Sequence, residues 1–187
     1  CTDTCITIAD SVEVFGSFDA GQILSIPNAF GFTTSAFIPD QHVCNFTIVA
    51  KDATDEWNSY FTIKAQSPVI EFTNFTISDP TGNNNGKLDP GETATLSIQL
   101  KNSGHSKAFG LIGNLSSIDS YVTINSNNML YGDGDTNQVI TKDFSITALA
   151  GTPAGHTAQF NIDFAGNLGI TGTGNFNIVI GQIPVLI

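Results

Sequence analysis

Arginine is absent from this chain of 187 residues, and lysine occurs only six times against 17 acidic residues. The formal net charge of −11 excludes a nucleic-acid binder, which needs cationic side chains to displace counterions from phosphates. The same deficit argues against anionic membrane surfaces and leaves cations as the natural small partners. No apolar run approaches the ~20 residues that span a bilayer, so membrane insertion is not expected. The opening lacks the basic-then-apolar pattern of an export leader, as a mature or excised segment would. Cysteine is scarce too: Cys1, Cys5 and Cys44 are the only three. Their spacing fits no zinc or redox motif. One disulfide with a cysteine left over and three free thiols are both compatible with the count.

What is present is apolar and β-prone. Hydrophobic residues make up 41%, with 14 Phe, enough for a packed core. Charged residues reach only 12%, and the polar remainder is rich in Asn, Thr, Ser and Gly, a composition common in extracellular β proteins.

Self-similarity organises the chain. An offset of 116 lays Cys5 on Tyr121, Ile6-Thr7-Ile8 on Val122-Thr123-Ile124 and Phe15-Gly16 on Tyr131-Gly132. Asp19 then falls on Asp135, and Gln22-Ile23-Leu24 on Gln138-Val139-Ile140. After a two-residue gap, Phe30, Thr33, Pro39, His42, Phe46 and Ile48 fall on Phe144, Thr147, Pro153, His156, Phe160 and Ile162. A further one-residue shift puts Phe61 and Ile63 on Phe176 and Ile178. Residues 68–182 therefore read as one complete unit, and residues 1–67 as the C-terminal half of another. Residues 183–187, Ile-Pro-Val-Leu-Ile, resemble Pro68-Val69-Ile70 and read as a linker or the first strand of a next repeat. Half a sandwich exposes an apolar face, so residues 1–67 are expected to need further sequence or a partner chain.

Period-2 alternation marks the strands. Ala94, Leu96, Ile98 and Leu100 form one such set; Ala158, Phe160, Ile162 and Phe164 another; Phe176, Ile178 and Ile180 a third. Cys44, Phe46, Ile48 and Ala50, then Phe61, Ile63 and Ala65, are their counterparts in the first unit. Turn clusters separate them, and no window has a helical period. The expected fold is all-β, an immunoglobulin-like antiparallel β-sandwich in tandem repeats, with a jelly roll as the rival topology.

One loop carries a chemical pattern. In Asp79-Pro80-Thr81-Gly82-Asn83-Asn84-Asn85-Gly86-Lys87-Leu88-Asp89-Pro90-Gly91-Glu92, Glu92 reads as position 12 of a calcium loop. Asn83, Asn85, Lys87 (through its carbonyl) and Asp89 then occupy positions 3, 5, 7 and 9, with Gly86 at the sharp turn. Position 1 is Thr81 where an aspartate is usual, and Asp79 stands in from outside the loop. Calcium takes six to eight hard oxygens, which this spacing wraps round one point. The bland alternative is a solvated Asn/Gly turn. The metal would stiffen a loop near an inter-domain junction. The second acidic turn, at Asp133 and Asp135, has fewer ligands and reads as solvated.

Residues 76–79, Thr-Ile-Ser-Asp, through Gly91-Glu92, followed by Thr93-Ala94-Thr95-Leu96-Ser97-Ile98 and Lys101-Asn102-Ser103-Gly104, resemble the opening of bacterial CARDB-type Ig-like modules. Such modules recur in Bacteroidetes surface adhesins and behind the catalytic domains of gingipain-like secreted proteases. The resemblance is best over residues 68–115 and looser up to 182. It implies secretion to the cell surface and a non-catalytic role beside neighbouring repeats.

Other features point elsewhere. His42 and His156 occupy equivalent repeat positions and His105 follows a turn, but no nucleophile motif lies near them, so a structural role and no catalytic residues are expected. Trp57 and Tyr60, read as lying in the loop from Lys51 to Tyr60, offer aromatic surfaces for a sugar, which makes a carbohydrate-binding module the main alternative. An accessory domain of a secreted protease is another, and a strand-exchanged filament of several chains a third. Asn45, Asn74 and Asn114 head N-glycosylation patterns, and Asp10-Ser11-Val12 resembles an O-glycosylation motif.

Overall fold

The computed structural model describes residues 1–181 and divides into two compact units, Cys1–Gln66 and Ser67–Ile187. The boundary lies one residue before the position expected from the repeat. Among the described residues, no helix is long and apolar enough to cross a membrane.

The second unit is a two-layer antiparallel sandwich. Its strands are β5 (Ile70–Ser78), β6 (Thr93–Asn102), β7 (Ala108–Ser116), β8 (Val122–Ile124), β9 (Asn128–Gly134), β10 (Val139–Ala148), β11 (His156–Ala165) and β12 (Thr171–Ile180). One sheet runs β5-β6-β10-β8 and the other β12-β11-β7-β9. First, second and fifth-type strands share one sheet while third, sixth and seventh-type strands share the other, which is the immunoglobulin-like arrangement. A variation lies at the edges. The chain leaves β7 for the edge of the first sheet at β8, then returns to the edge of the second at β9.

Alternation explains the layers. Along β6, Ala94, Leu96, Ile98, Leu100 and Asn102 are buried while the residues between them are less so; β11 and β12 repeat the pattern. Leu96, Ile98, Phe144, Ile146, Phe160, Ile162 and Ile180 meet in a continuous core. Phe160 stacks on Phe176 at 5.5 Å, and Phe72 and Phe75 reach Phe176 from β5 at 5.3 and 4.6 Å. Tyr131 is buried against Gly113, where any Cβ would come within 2.6 Å of the ring. Its hydroxyl donates to the Ile98 carbonyl at 3.2 Å, and burial pushes the phenol well above its ordinary range.

Asn102 joins one end of this sandwich. Its Oδ1 accepts from the Val69 and Gly104 amides at 3.2 and 3.1 Å, and its Nδ2 donates to the Ser106 and Gly134 carbonyls at 2.8 and 3.1 Å. Every hydrogen-bonding position of this buried carboxamide is therefore used. The other end is closed by Leu88, which is fully buried and bridges in parallel to Ile180, while Gly181 N donates to the Leu88 carbonyl at 3.0 Å.

The first unit contains β1 (Ile6–Asp10), β2 (Gly31–Thr34), β3 (Val43–Lys51) and β4 (Glu56–Lys64), paired as β1-β2 and β3-β4. Their registers repeat those of the second unit. Thr7 faces Thr33 as Thr123 faces Thr147, and Ile8 faces Phe32 as Ile124 faces Ile146. Phe46 faces Phe61 as Phe160 faces Phe176, each pair stacked, at 5.1 and 5.5 Å. What differs is cover. Phe61 is 42% exposed where Phe176 is 8%, because the first unit has no counterparts of β5, β6 and β7 among the described residues. The tail expected to begin a strand at 183–187 lies outside the described residues.

Candidate functional site

The loop between β5 and β6 folds back on itself around three carboxylates. Asp79 is fully buried; its Oδ1 accepts from the Gly86 amide at 2.8 Å and its Oδ2 from the Asn85 amide at 3.1 Å. Asn84 and Gly86 take left-handed backbone conformations, φ 57° and 73°, as an Asn/Gly stretch permits. Above them, Asp89 Oδ2 receives Asn83 Nδ2 at 2.7 Å and Asn85 Nδ2 at 2.8 Å. Glu92 Oε1 accepts from the Asn83 amide at 3.0 Å and Oε2 from the Asp89 amide at 3.2 Å. Gly82 lies against this carboxylate so closely that a Cβ there would come within 2.5 Å of Oε1.

Of the seven residues read as calcium ligands, the fold thus gathers Asn83, Asn85, Asp89 and Glu92 on one side and sets Asp79 beneath them. Lys87 takes part through its amide, which donates to Asn85 Oδ1 at 2.8 Å, and Thr81 enters none of these hydrogen bonds. The carboxylates of Asp79, Asp89 and Glu92 do not form a three-ligand cluster; each is engaged by N–H donors. The donor set is hard oxygen throughout and suits calcium in kind. The loop adjoins Ile180 and Gly181 at the end of β12, whereas Ser67 lies beyond the opposite end of the nine-residue β5, roughly 30 Å along the strand.

Beside the same end sits a contact the sequence reading missed. His156 Nε2 and Asp119 Oδ2 are 2.7 Å apart, and the Tyr121 amide donates to Asp119 Oδ1 at 2.9 Å, with the Tyr121 ring edge-on to His156 at 4.8 Å. The first unit repeats the clasp: His42 Nε2 to Asp3 Oδ2 at 2.7 Å and the Cys5 amide to Asp3 Oδ1 at 2.8 Å. The Tyr121 amide, and after it His156, hold the Asp119 carboxyl below the usual carboxylate range, against the opposing effect of burial. The signal was available: the offset of 116 that aligns Cys5 with Tyr121 also aligns Asp3 with Asp119.

In the first unit the clasp has an addition. Cys44 Sγ, a ring nitrogen of His42 and an Asp3 carboxylate oxygen lie within 4.8 Å of one another, the one such cluster among the described residues. Cys44 is buried, Cys5 packs against the small apolar cluster that holds it, and both cysteines are in the reduced form in this structure. Burial first, then the Asp3 charge, pushes the Cys44 thiol up. A nucleophilic thiol needs the opposite shift. His42 is moreover engaged by Asp3, whose Oδ2 lies 2.7 Å from its Nε2.

Trp57 and Tyr60 lie on β4, not in a loop. The turn is shorter than expected because Asp52 Oδ1 accepts from the Thr54 and Asp55 amides at 2.7 and 2.8 Å, closing the hairpin at residues 52–55. Both rings are exposed, but three residues apart on a strand they point to opposite faces and form no single platform. Asp133 and Asp135 pair with Lys107 Nζ at 3.5 and 3.6 Å, a surface arrangement worth at most about 1 kcal/mol.

No protein-family model and no curated protein matches the chain. Among solved structures it is similar to the ASH / PapD-like domain of human CEP192 (PapD-like domain 7), at 16% identity and a TM-score of 0.36, over 63% of this chain and 87% of that one. A TM-score of that size carries no argument about function.

Proposed function

We propose that this chain is a non-catalytic structural or adhesive segment of a repetitive extracellular protein, of the CARDB-like kind, in which the loop at 79–92 takes a calcium ion. The recurrence of one framework in both units carries the reading: equal strand registers, equal stacked Phe pairs and an equal Asp–His clasp. Repetition of packing without repetition of a reactive group is what a spacer or adhesive array needs. The histidines of the two clasps are committed to aspartates.

Calcium would be held by Asn83, Asn85, Asp89 and Glu92, with Asp79 supporting the loop from beneath. Bound there, the ion neutralises carboxylates and crosslinks the loop to the end of the sandwich. Leu88 already pins that loop to Ile180, so stiffness gained by the loop passes to the end of β12.

Heating the full chain with calcium and then with excess chelator tests this. At a hundredfold excess over Kd, the second unit is expected to gain about 2.7 kcal/mol and roughly 10 °C in midpoint. Asp89→Ala with Glu92→Ala is expected to remove the difference. Equal midpoints with and without calcium in the unaltered chain refute the metal and leave an Asn/Gly turn.

A further inference from the structure

The Asp–His clasp is common to both units, so it does not explain why the first unit carries two cysteines beside it. At the matching positions the second unit has Tyr121 and Ala158, a large residue paired with a small one. In the first unit both are replaced together, by Cys5 and Cys44. The two converge on one carboxylate: the Cys5 amide is 2.8 Å from Asp3 Oδ1, and Cys44 Sγ lies within 4.8 Å of an oxygen of the same group. Both belong to one small apolar cluster with Ile38 and Phe46.

We propose that Cys5 and Cys44 form a disulfide that staples the two hairpins of the first unit. Cys5 immediately precedes β1, which pairs with β2, and Cys44 lies in β3, which pairs with β4; no backbone ladder joins the two pairs. The unit that lacks counterparts of β5, β6 and β7 is thus the unit that carries the bond. A crosslink closing a loop of about 40 residues restricts the unfolded chain substantially. Two S–H bonds break and one S–S bond forms. The two protons and two electrons pass to a disulfide oxidant, glutathione disulfide or a protein disulfide, whose S–S bond breaks to give two thiols. Cys44 is sealed from solvent in the folded unit, so the exchange belongs to folding, before burial is complete. The bond is independent of the cation at 79–92.

Cys1 is exposed and lies outside the cluster, which makes it the thiol left over. A divalent metal held by Asp3, His42 and Cys44 is the rival chemistry. It gives Cys5 no part, since that sulfur is not among the three convergent ligand atoms.

The full chain is refolded in glutathione disulfide, blocked with an alkylating agent and cut before aspartates without reduction. The expected product is residues 3–9 joined to residues 40–51, lighter than the sum by two hydrogens, with only Cys1 alkylated. Trp57 fluorescence, which reports the first unit alone, is expected to show its unfolding midpoint raised by roughly 10 °C over the reduced chain. That shift is expected to be absent in Cys5→Ser. Three alkylated cysteines, a link involving Cys1, or cysteines that react only after a chelator strips a bound zinc would each overturn the assignment.

Discussion

Replacing Asn102 with alanine is expected to destabilise the second unit by about 3 kcal/mol, the summed effect of four lost hydrogen bonds in a buried site. The loss falls on groups that cannot easily find water. Gly104 is packed so closely that a Cβ there would fall within 2.3 Å of the Ser67 carbonyl oxygen and 2.5 Å of the Val69 nitrogen. The Ser106 carbonyl comes from the β6–β7 turn and the Gly134 carbonyl from the end of β9, so one side chain joins these to the residue just before β5. Asn102→Asp is the sharper test. It keeps the acceptor for Val69 and Gly104 but turns a second oxygen toward two carbonyls, and it buries a charge. It is expected to be at least as damaging as alanine, although the shape is unchanged. Denaturant unfolding followed by tyrosine near-ultraviolet dichroism, with Trp57 fluorescence as the internal reference for the first unit, measures both. Changes below about 0.5 kcal/mol would mean the carboxamide is incidental to the fold.

Asp79→Ala is expected to cost about 3 kcal/mol with no cation present. Charge-assisted hydrogen bonds from the Asn85 and Gly86 amides are lost, at roughly 1.5 kcal/mol or more each. Asp79→Asn keeps one acceptor but turns an N–H toward the other amide, and an intermediate loss of about 2 kcal/mol is expected. The comparison separates two roles of one residue. If Asp79 anchors the loop from within, both variants lose stability in chelator as well as in calcium. If it were only a metal ligand, both would match the unaltered chain in chelator. Urea unfolding in the two buffers distinguishes the cases.

The strands were legible because alternation with a buried face is written directly in residues such as Ala94, Leu96, Ile98 and Leu100. The repeat was legible because equivalent strands keep their stacked Phe partners. The Asp–His clasp was harder to see. Asp3 and His42 are 39 residues apart and Asp119 and His156 are 37 apart, and only the pairing of β8 with β10, and its counterpart in the first unit, brings such loops together. Trp57 and Tyr60 were misplaced because residues 51–55 look like a long polar loop until Asp52 is seen capping a tight hairpin. The spacing of Asn83, Asn85, Asp89 and Glu92 was readable one residue at a time. What spacing does not encode is that Asp79 is consumed by the loop's own amides, or that the loop is tied to Ile180 at the far end of β12. Both follow from packing around Leu88, a residue with no motif to mark it.

The most direct measurement of the cation claim is a calcium titration of the full chain watched by ¹⁵N–¹H correlation spectra of the side-chain amides of Asn83 and Asn85. Both carboxamides donate to Asp89 Oδ2, so an ion taken by these residues must displace those donors. Saturable shifts of both resonances are expected at submillimolar to millimolar calcium, absent in Asp89→Ala, while the Asn102 amide at the other end stays unmoved. Spectra unchanged up to ten millimolar calcium, a concentration well above ordinary extracellular-module affinities of about 10⁻⁴–10⁻³ M, would contradict the reading.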